Sequence, residues 1–395
     1  MTRPHDAVAA PGDAVHPQLA TLVRLLSPVD GSAGARPVVA LPWAPSGAGA
    51  GELLRQTARR AGATATASGT ALAARRRLTL VRPTRGSLAP GVRDRLRRTA
   101  GSGLVAQLHH REAPSLLDRV LADAQVVPAA GLGVGADGAV RTLVVRNGER
   151  GLLRMGLAGS PADPSGAAGA LRWLAERAVK RVPVLLDQGS RAGVEWTLES
   201  ALPGRRPRVV TPALVEQVAG FVAALPRSDR TVDLHGDAAV VGAAAPGHAA
   251  GQHALLGDLR SSPLASAGQL RHGDLWSGNL LADADTLCGV VDWDAWAPTG
   301  FPAVDLLHLI GTAERLRTRS SLGEVWVRRP WDAPHFVELA RRYWPQWGGD
   351  PAARAAVGAA WWLGQLAADL RRNPALGEDA RWVARNVGTV LTAVG

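Results

Sequence analysis

With 395 residues, 46% of them hydrophobic and 20% charged, the chain is long enough for two or three domains and has the composition of a globular protein. The formal net charge of +11 is almost wholly arginine, since Lys180 is the only lysine, and the single cysteine excludes a disulfide framework or a multi-thiolate metal site. No apolar run reaches the roughly eighteen residues that span a bilayer. A Walker A loop needs Gly-Lys before Ser or Thr, and the sequence contains none. The arginines are scattered apart from short clusters such as Arg75-Arg76-Arg77, so solvated surface is expected for most of them, with no specific nucleic-acid partner.

Residues 1–17 read as a flexible tail that lacks the apolar h-region of a secretory signal, and a cytoplasmic protein that contacts no membrane is expected. From 18 to 124, short apolar strands (Val38–Leu41, Leu78–Val81, Leu104–Leu108) alternate with Arg-rich helical stretches, which predicts a small α/β region of unassigned role. The Gly47, Gly49, Gly51 run fits a strand–turn–helix rather than a nucleotide fingerprint. The junction with the next region is expected at residues 128–131. Residues 125–205 predict a small β-rich lobe: Gly131, Gly133, Gly135 and Gly138 could form a turn over phosphates, before strands Val140–Val145 and Gly151–Met155. Residues 206–395 predict a larger, mainly helical lobe. Its Gly-Ala-rich stretch 236–251 reads as a surface loop or short linker. Apolar spacings of three and four predict helices at Leu306–Arg317, Ala333–Tyr343, Ala352–Arg371 and Asp379–Val394. The tryptophans crowded among these helices are expected to be mostly core, and Cys288 a small buried hydrophobe.

The chemistry is concentrated in residues 271–294, RHGDLWSGNLLADADTLCGVVDWD. Asp274, Asn279 and Asp292 follow one another at spacings of five and thirteen, and the apolar run Leu287–Val291 ends directly on the acidic DWD. An aspartate that can accept a hydroxyl proton, followed by an amide and a carboxylate able to share magnesium, is the minimal kit for phosphoryl transfer. Magnesium takes hard oxygen ligands and keeps waters, so two such side chains suffice beside the phosphates. A second HGD, His235-Gly236-Asp237, has Gly242 where the asparagine should stand, and a structural role is expected for it.

This segment resembles the aminoglycoside phosphotransferase and choline kinase-like family, whose catalytic loop reads H-G-D-x-x-x-x-N before an acidic D-x-D/E. The resemblance extends over roughly residues 125–395. It implies a two-lobed, protein-kinase-like α+β fold, with Asp274 as catalytic base, His272 bracing the loop, Asn279 and Asp292 as magnesium ligands, and Asp294 as the second acid of the pair. Gly300-Phe-Pro-Ala-Val-Asp305-Leu is similar to the family's G-x-P-x-x-D-L, which makes Asp305 the support behind the loop. Gly-Leu-Leu-Arg154-Met is similar to the third strand, so Arg154 would take the place of a lysine or arginine on the α/β-phosphates. Residues 195–204 are similar to the inter-lobe segment, whose backbone near Ser200 and Ala201 would contact adenine. One departure matters: the helix glutamate that would orient Arg154 is replaced by Ala167, so its partner is missing or comes from elsewhere.

The activity implied is ATP-dependent, magnesium-assisted phosphorylation of a small-molecule hydroxyl acceptor, with GTP open as the nucleotide. Carboxylates in the C-terminal helices are sparse, so a sugar, amino alcohol or related metabolite is preferred to an aminoglycoside. The alternative is a catalytically impaired, kinase-like nucleotide-binding or scaffold protein. Oligomeric state is not legible.

Overall fold

Two-residue turns set the local register of the β-rich part. Asn147-Gly148 joins β7 (Val140–Arg146) to β8 (Glu149–Leu157), and both turn residues have positive φ, 52° and 85°. This is the type I′ geometry whose twist matches that of the flanking strands. Ala192-Gly193 closes β9 (Leu185–Arg191) onto β10 (Val194–Ser200) in the same way.

The computed structural model describes residues 116–394 other than 130–132 and 135–137, together with positions 21, 24 and 25 and four strands before residue 111. Those strands are β1 (Val39–Ala40), β2 (Leu72–Ala73), β3 (Arg76–Pro83) and β4 (Val105–His110), and they coincide with or adjoin the apolar stretches of this region. Two short strands, β5 (Val127–Pro128) and β6 (Gly133–Val134), precede β7. The first ten described strands form one ten-stranded sheet along the path β1-β4-β3-β6-β7-β8-β10-β9, with β2 on β3 and β5 on β7. Strands drawn from both sides of residue 125 thus hydrogen-bond into a single sheet. The helix α1 (Leu116–Asp123) contributes Leu116 and Val120 to its apolar face, against Val140, Val144, Leu153, Met155, Val194, Trp196 and Leu198.

The chain divides into two compact units: residues 1–169 with 184–201, and residues 170–183 with 202–395. The second unit is mainly helical. Its helices include α2 (Pro212–Ala223), α3 (His235–Ala244), α4 (Ala249–Ser261), α5 (Val304–Thr318), α6 (Leu322–Val327), α7 (Pro334–Tyr343) and α8 (Pro351–Arg372). Start signals are written locally. Thr211 and Asp350 cap α2 and α8 with proline at the first helical position, and Ser321 with Glu324 forms a capping box on α6. The predicted Asp379–Val394 helix is present from Ala380 but passes through a π turn at Ala384–Gly388. Trp331, Trp344, Trp347, Trp361 and Trp362 are buried core.

Two expectations are corrected. The stretch 236–251 is helical rather than a loop, because alanine is the best helix former and outweighs the scattered glycines. Gly251 allows close packing there, since a Cβ would fall 2.5 Å from the Leu391 carbonyl. Cys288 is only half buried.

One β-rich unit and one mainly helical unit make up the α+β architecture expected of a kinase-like chain. Among the described residues no helix is long and apolar enough to cross a membrane.

Candidate active site

One short hairpin, one further pair of short strands and one helix build the candidate catalytic segment within the helical unit. Strand β11 (Gln269–Arg271) leads into the His272-Gly273-Asp274 turn and pairs with β14 (Ala297–Gly300). A 3₁₀ turn at Ser277–Asn279 leads into β12 (Leu280–Asp283), which pairs with β13 (Thr286–Val290) and so returns the chain to Asp292. Gly273 is required at its position: φ is +84° and a Cβ would lie 2.0 Å from the Ala295 carbonyl oxygen.

Each predicted residue of this segment has a defined place. His272 is fully buried; its Nδ1 accepts the Asp274 N–H at 3.3 Å, so the neutral ring carries its proton on Nε2 and donates it to the Val291 carbonyl at 3.0 Å. The ring lies against Trp293, with centroids 4.5 Å apart. His272 therefore ties the HGD turn to the strand end that carries Asp292. Asn279, also buried, donates from Nδ2 to the Asp274 backbone carbonyl at 2.9 Å and to Asp274 Oδ2 at 3.2 Å. Its backbone carbonyl accepts the Val291 N–H at 2.9 Å, which brings Asp292 beside it. Asp292 is half buried and has a φ of 72°, a left-handed conformation that costs a non-glycine residue about 1–3 kcal/mol and is held by the surrounding bonds. Asp294 is exposed on the short turn Trp293–Ala295.

Asp305, in the first turn of α5 and 2% exposed, accepts the N–H of His272 on Oδ2 at 2.6 Å and that of Gly273 on Oδ1 at 2.9 Å. Gln365 of α8 donates to the Gly273 carbonyl at 3.1 Å. The loop backbone is thus held by two elements whose side chains converge from distant sequence.

One neighbour of Asp274 escaped the sequence reading. His308, one turn along α5 from Asp305, brings Nε2 to 3.4 Å from Asp274 Oδ1. The second HGD is structural: Asp237 lies in the first turn of α3 and is paired with Arg371 at 2.7 Å.

As a metal-binding donor set, the segment offers the Asn279 side-chain oxygen and the Asp292 carboxylate. Because Asn279 Nδ2 is committed to Asp274, its Oδ1 is the atom left for a cation, and two hard oxygen donors suit magnesium shared with phosphates. No cluster of three or more His, Cys, Asp or Glu that could cage a metal occurs among the described residues.

The remaining predicted residues lie in the β-rich unit. Arg154 on β8 is 2% exposed and forms an ion pair at 3.6 Å with Glu199 of β10, itself 3% exposed. Arg154 is registered opposite Thr197, so Glu199 is its diagonal cross-strand neighbour on the same face. The carboxylate that Arg154 meets therefore comes from a strand, and not from the helix that carries Ala167. Ser200 ends β10 and Ala201 follows it, but their N–H groups already donate to the carbonyls of Val184 (2.9 Å) and Arg150 (3.1 Å). Gly133 lies in β6 rather than in a turn, and Gly138 has a φ of 85°. Gly131 and Gly135, like Gly47, Gly49 and Gly51, are outside the described residues.

The model of the phosphotransferase enzyme family (APH) matches residues 129–357, more than half of the chain, and the chain belongs to that family. Similar solved structures include the aminoglycoside phosphotransferase APH(3'')-Id from Streptomyces rimosus, at 20% identity over 62% of this chain and 95% of that one, with a TM-score of 0.40. The macrolide 2'-phosphotransferase MphH from Brachybacterium faecium is 20% identical over 68% of this chain and 97% of that one, with a TM-score of 0.45. A thermostable mutant of APH(4)-Ia, in a ternary complex with ADP and hygromycin B, is 17% identical over 70% and 98%, with a TM-score of 0.44. No curated protein matches the chain.

Proposed function

We propose that this protein is an ATP-dependent, magnesium-assisted phosphotransferase that acts on a hydroxyl group of a small molecule. The observation that carries the reading is the joining of Asp274 to Asn279 at 3.2 Å, with Asp292 alongside through the Val291–Asn279 backbone bond. Asp274, whose side chain is 39% exposed, would accept the proton of an acceptor hydroxyl on a carboxylate oxygen. Asn279 and Asp292 would hold magnesium; when bound, the ion supplies neutralisation of charge on the transferring phosphoryl group. His272 and Asp305 keep the loop from relaxing, which matters because phosphoryl transfer depends mainly on positioning and electrostatics.

Arg154 is the candidate phosphate-binding cation, and Glu199 is the residue that would orient it. Arginine grips phosphate in two-point fashion, unlike lysine. With the N–H groups of Ser200 and Ala201 engaged in the sheet, adenine at these residues would be met by carbonyl oxygens. The impaired-enzyme alternative draws on Ala167 and on the extra N-terminal region; the Arg154–Glu199 pair supports the active reading by offering Arg154 a carboxylate neighbour. For the acceptor, the sparse carboxylates of the C-terminal helices favour a neutral or anionic hydroxyl compound over a polycationic antibiotic.

The test is incubation with Mg-ATP and a panel of sugars, amino alcohols, macrolides and aminoglycosides, scored by ADP release and by the mass of the phosphorylated product. Asp274→Asn serves as the control and should lower turnover by about 10²–10⁴-fold. Full turnover in that variant removes Asp274 from the role of base.

A further inference from the structure

His308 stands behind the proposed base in a way that neither packing nor the loop sequence requires. It is 5% exposed on α5, and both ring nitrogens face defined neighbours. The Trp361 indole N–H of α8 points at Nδ1 from 3.3 Å. Indole nitrogen can only donate, so Nδ1 must offer its lone pair and the proton of the neutral ring must sit on Nε2. The Thr312 hydroxyl, 3.4 Å from the same Nδ1, can also donate to it. Trp361 can lie this close because Gly311 leaves room on α5: a Cβ there would fall 2.3 Å from the indole ring.

The proton thus fixed on Nε2 is directed at Asp274 Oδ1, 3.4 Å away. The approach falls short of hydrogen-bond geometry, leaving Nε2 as a buried donor with no hydrogen-bond partner among the described residues. A buried donor left without a partner is unfavourable, which favours closure onto the carboxylate. Asp274 Oδ2 meanwhile takes the Asn279 amide at 3.2 Å.

We propose that His308 is a positioning residue for Asp274, its Nε2–H holding Oδ1 while Asn279 holds Oδ2, so that the carboxylate is fixed in orientation before the acceptor arrives. Trp361 sets the tautomer that makes this possible. The proposal rests on the reading of Asp274 as the base. A histidine that merely fills the core would contribute stability and leave the rate of transfer untouched.

The test is a double-mutant cycle on the full-length protein, reading ADP release from Mg-ATP with water as acceptor, beside thermal melts. His308→Ala should lower kcat about tenfold with the KM for Mg-ATP essentially unchanged, a factor equivalent to about 1.4 kcal/mol. His308→Gln, which keeps a donor, should recover part of the loss. In an Asp274→Asn background, His308→Ala should cost nothing further, because its effect passes through the missing carboxylate. An equal fall in both backgrounds, or no fall in the wild-type background, overturns the proposal. Failure of the underlying reading looks different: Asp274→Asn then keeps wild-type ADP release, or the wild type releases none. Nitrogen-15 NMR of labelled histidine gives a readout independent of turnover. Protonation of His308 at Nε2 with a bare Nδ1 is expected, and the opposite tautomer overturns the proposal.

Discussion

Replacing Asp305 by asparagine probes how the catalytic loop is held. Its two carboxylate oxygens accept separate backbone N–H groups, from His272 at 2.6 Å and Gly273 at 2.9 Å, in a site 2% exposed. An amide can reproduce only one of these bonds, and that one falls from about 1.5–3 kcal/mol for a charged acceptor to about 0.5–1.5 for a neutral one. The other position presents NH₂ to an N–H donor and strands it, at about 1–3 kcal/mol. The sum is roughly 2–4 kcal/mol. For a unit of this size each kcal/mol moves Tm by about 2–4 °C, so a fall of roughly 5–15 °C is expected. Differential scanning calorimetry at neutral pH measures it, with ADP release assayed well below the transition. Turnover should fall as well, because the loop is no longer fixed. A Tm within about 2 °C of wild type would refute the claim that Asp305 holds the loop.

Glu199→Gln removes one member of the buried pair with Arg154. Breaking such a pair from one side costs about 3–5 kcal/mol, so a lower Tm and weaker stabilisation by Mg-ATP are expected in thermal-shift titration. An unchanged nucleotide response would separate the pair from nucleotide binding. Gly273→Ala forces a side chain onto the Ala295 carbonyl at a φ of +84°. The backbone strain alone is about 1–3 kcal/mol, and a steady-state assay should show loss of turnover even where a folded protein is recovered. Acid should weaken the α6 cap. The Ser321 backbone N–H on the Glu324 carboxylate, opposed in part by burial and aided by Arg385, holds its carboxyl below the ordinary glutamate value of 4.5. A depressed folded value contributes stability above that ordinary value and loses it as pH falls through the folded one. Glu324→Gln should therefore flatten the decline of Tm between about pH 5 and 3, and a parallel decline in both proteins would exclude this group as its source.

The candidate catalytic segment was legible because its residues lie close in sequence: a turn, an amide five residues on and an acid after the next short hairpin constrain one another. Asp305 was legible through the family motif around it, and the major helices through their periodicity. His308 and Glu199 were not. Each gains its significance from a tertiary neighbour: His308 from where α5 and α8 place Asp274 and Trp361, Glu199 from a strand register that sets it diagonal to Arg154. No local pattern encodes such a pairing. The stretch 236–251 was misread for a different reason. Gly and Ala together suggest a loop by composition, whereas alanine alone favours helix, and its buried face (Ala238, Val241) is too small to give a strong apolar period. The backbone of Ser200 and Ala201 was located by order along the chain, but which of its polar groups the sheet had already engaged depends on β-pairing with Arg150 and Val184.

The convergence of Asp274, Asn279 and Asp292 on one metal–nucleotide complex is tested most directly by calorimetric titration of ATP into the wild type, Asn279→Ala and Asp292→Ala, with magnesium and with chelator. The account predicts tight binding in the wild type only with magnesium, a loss of at least about tenfold in each variant, and no difference among the three proteins once magnesium is removed. Equal Mg-ATP affinity in all three would contradict it.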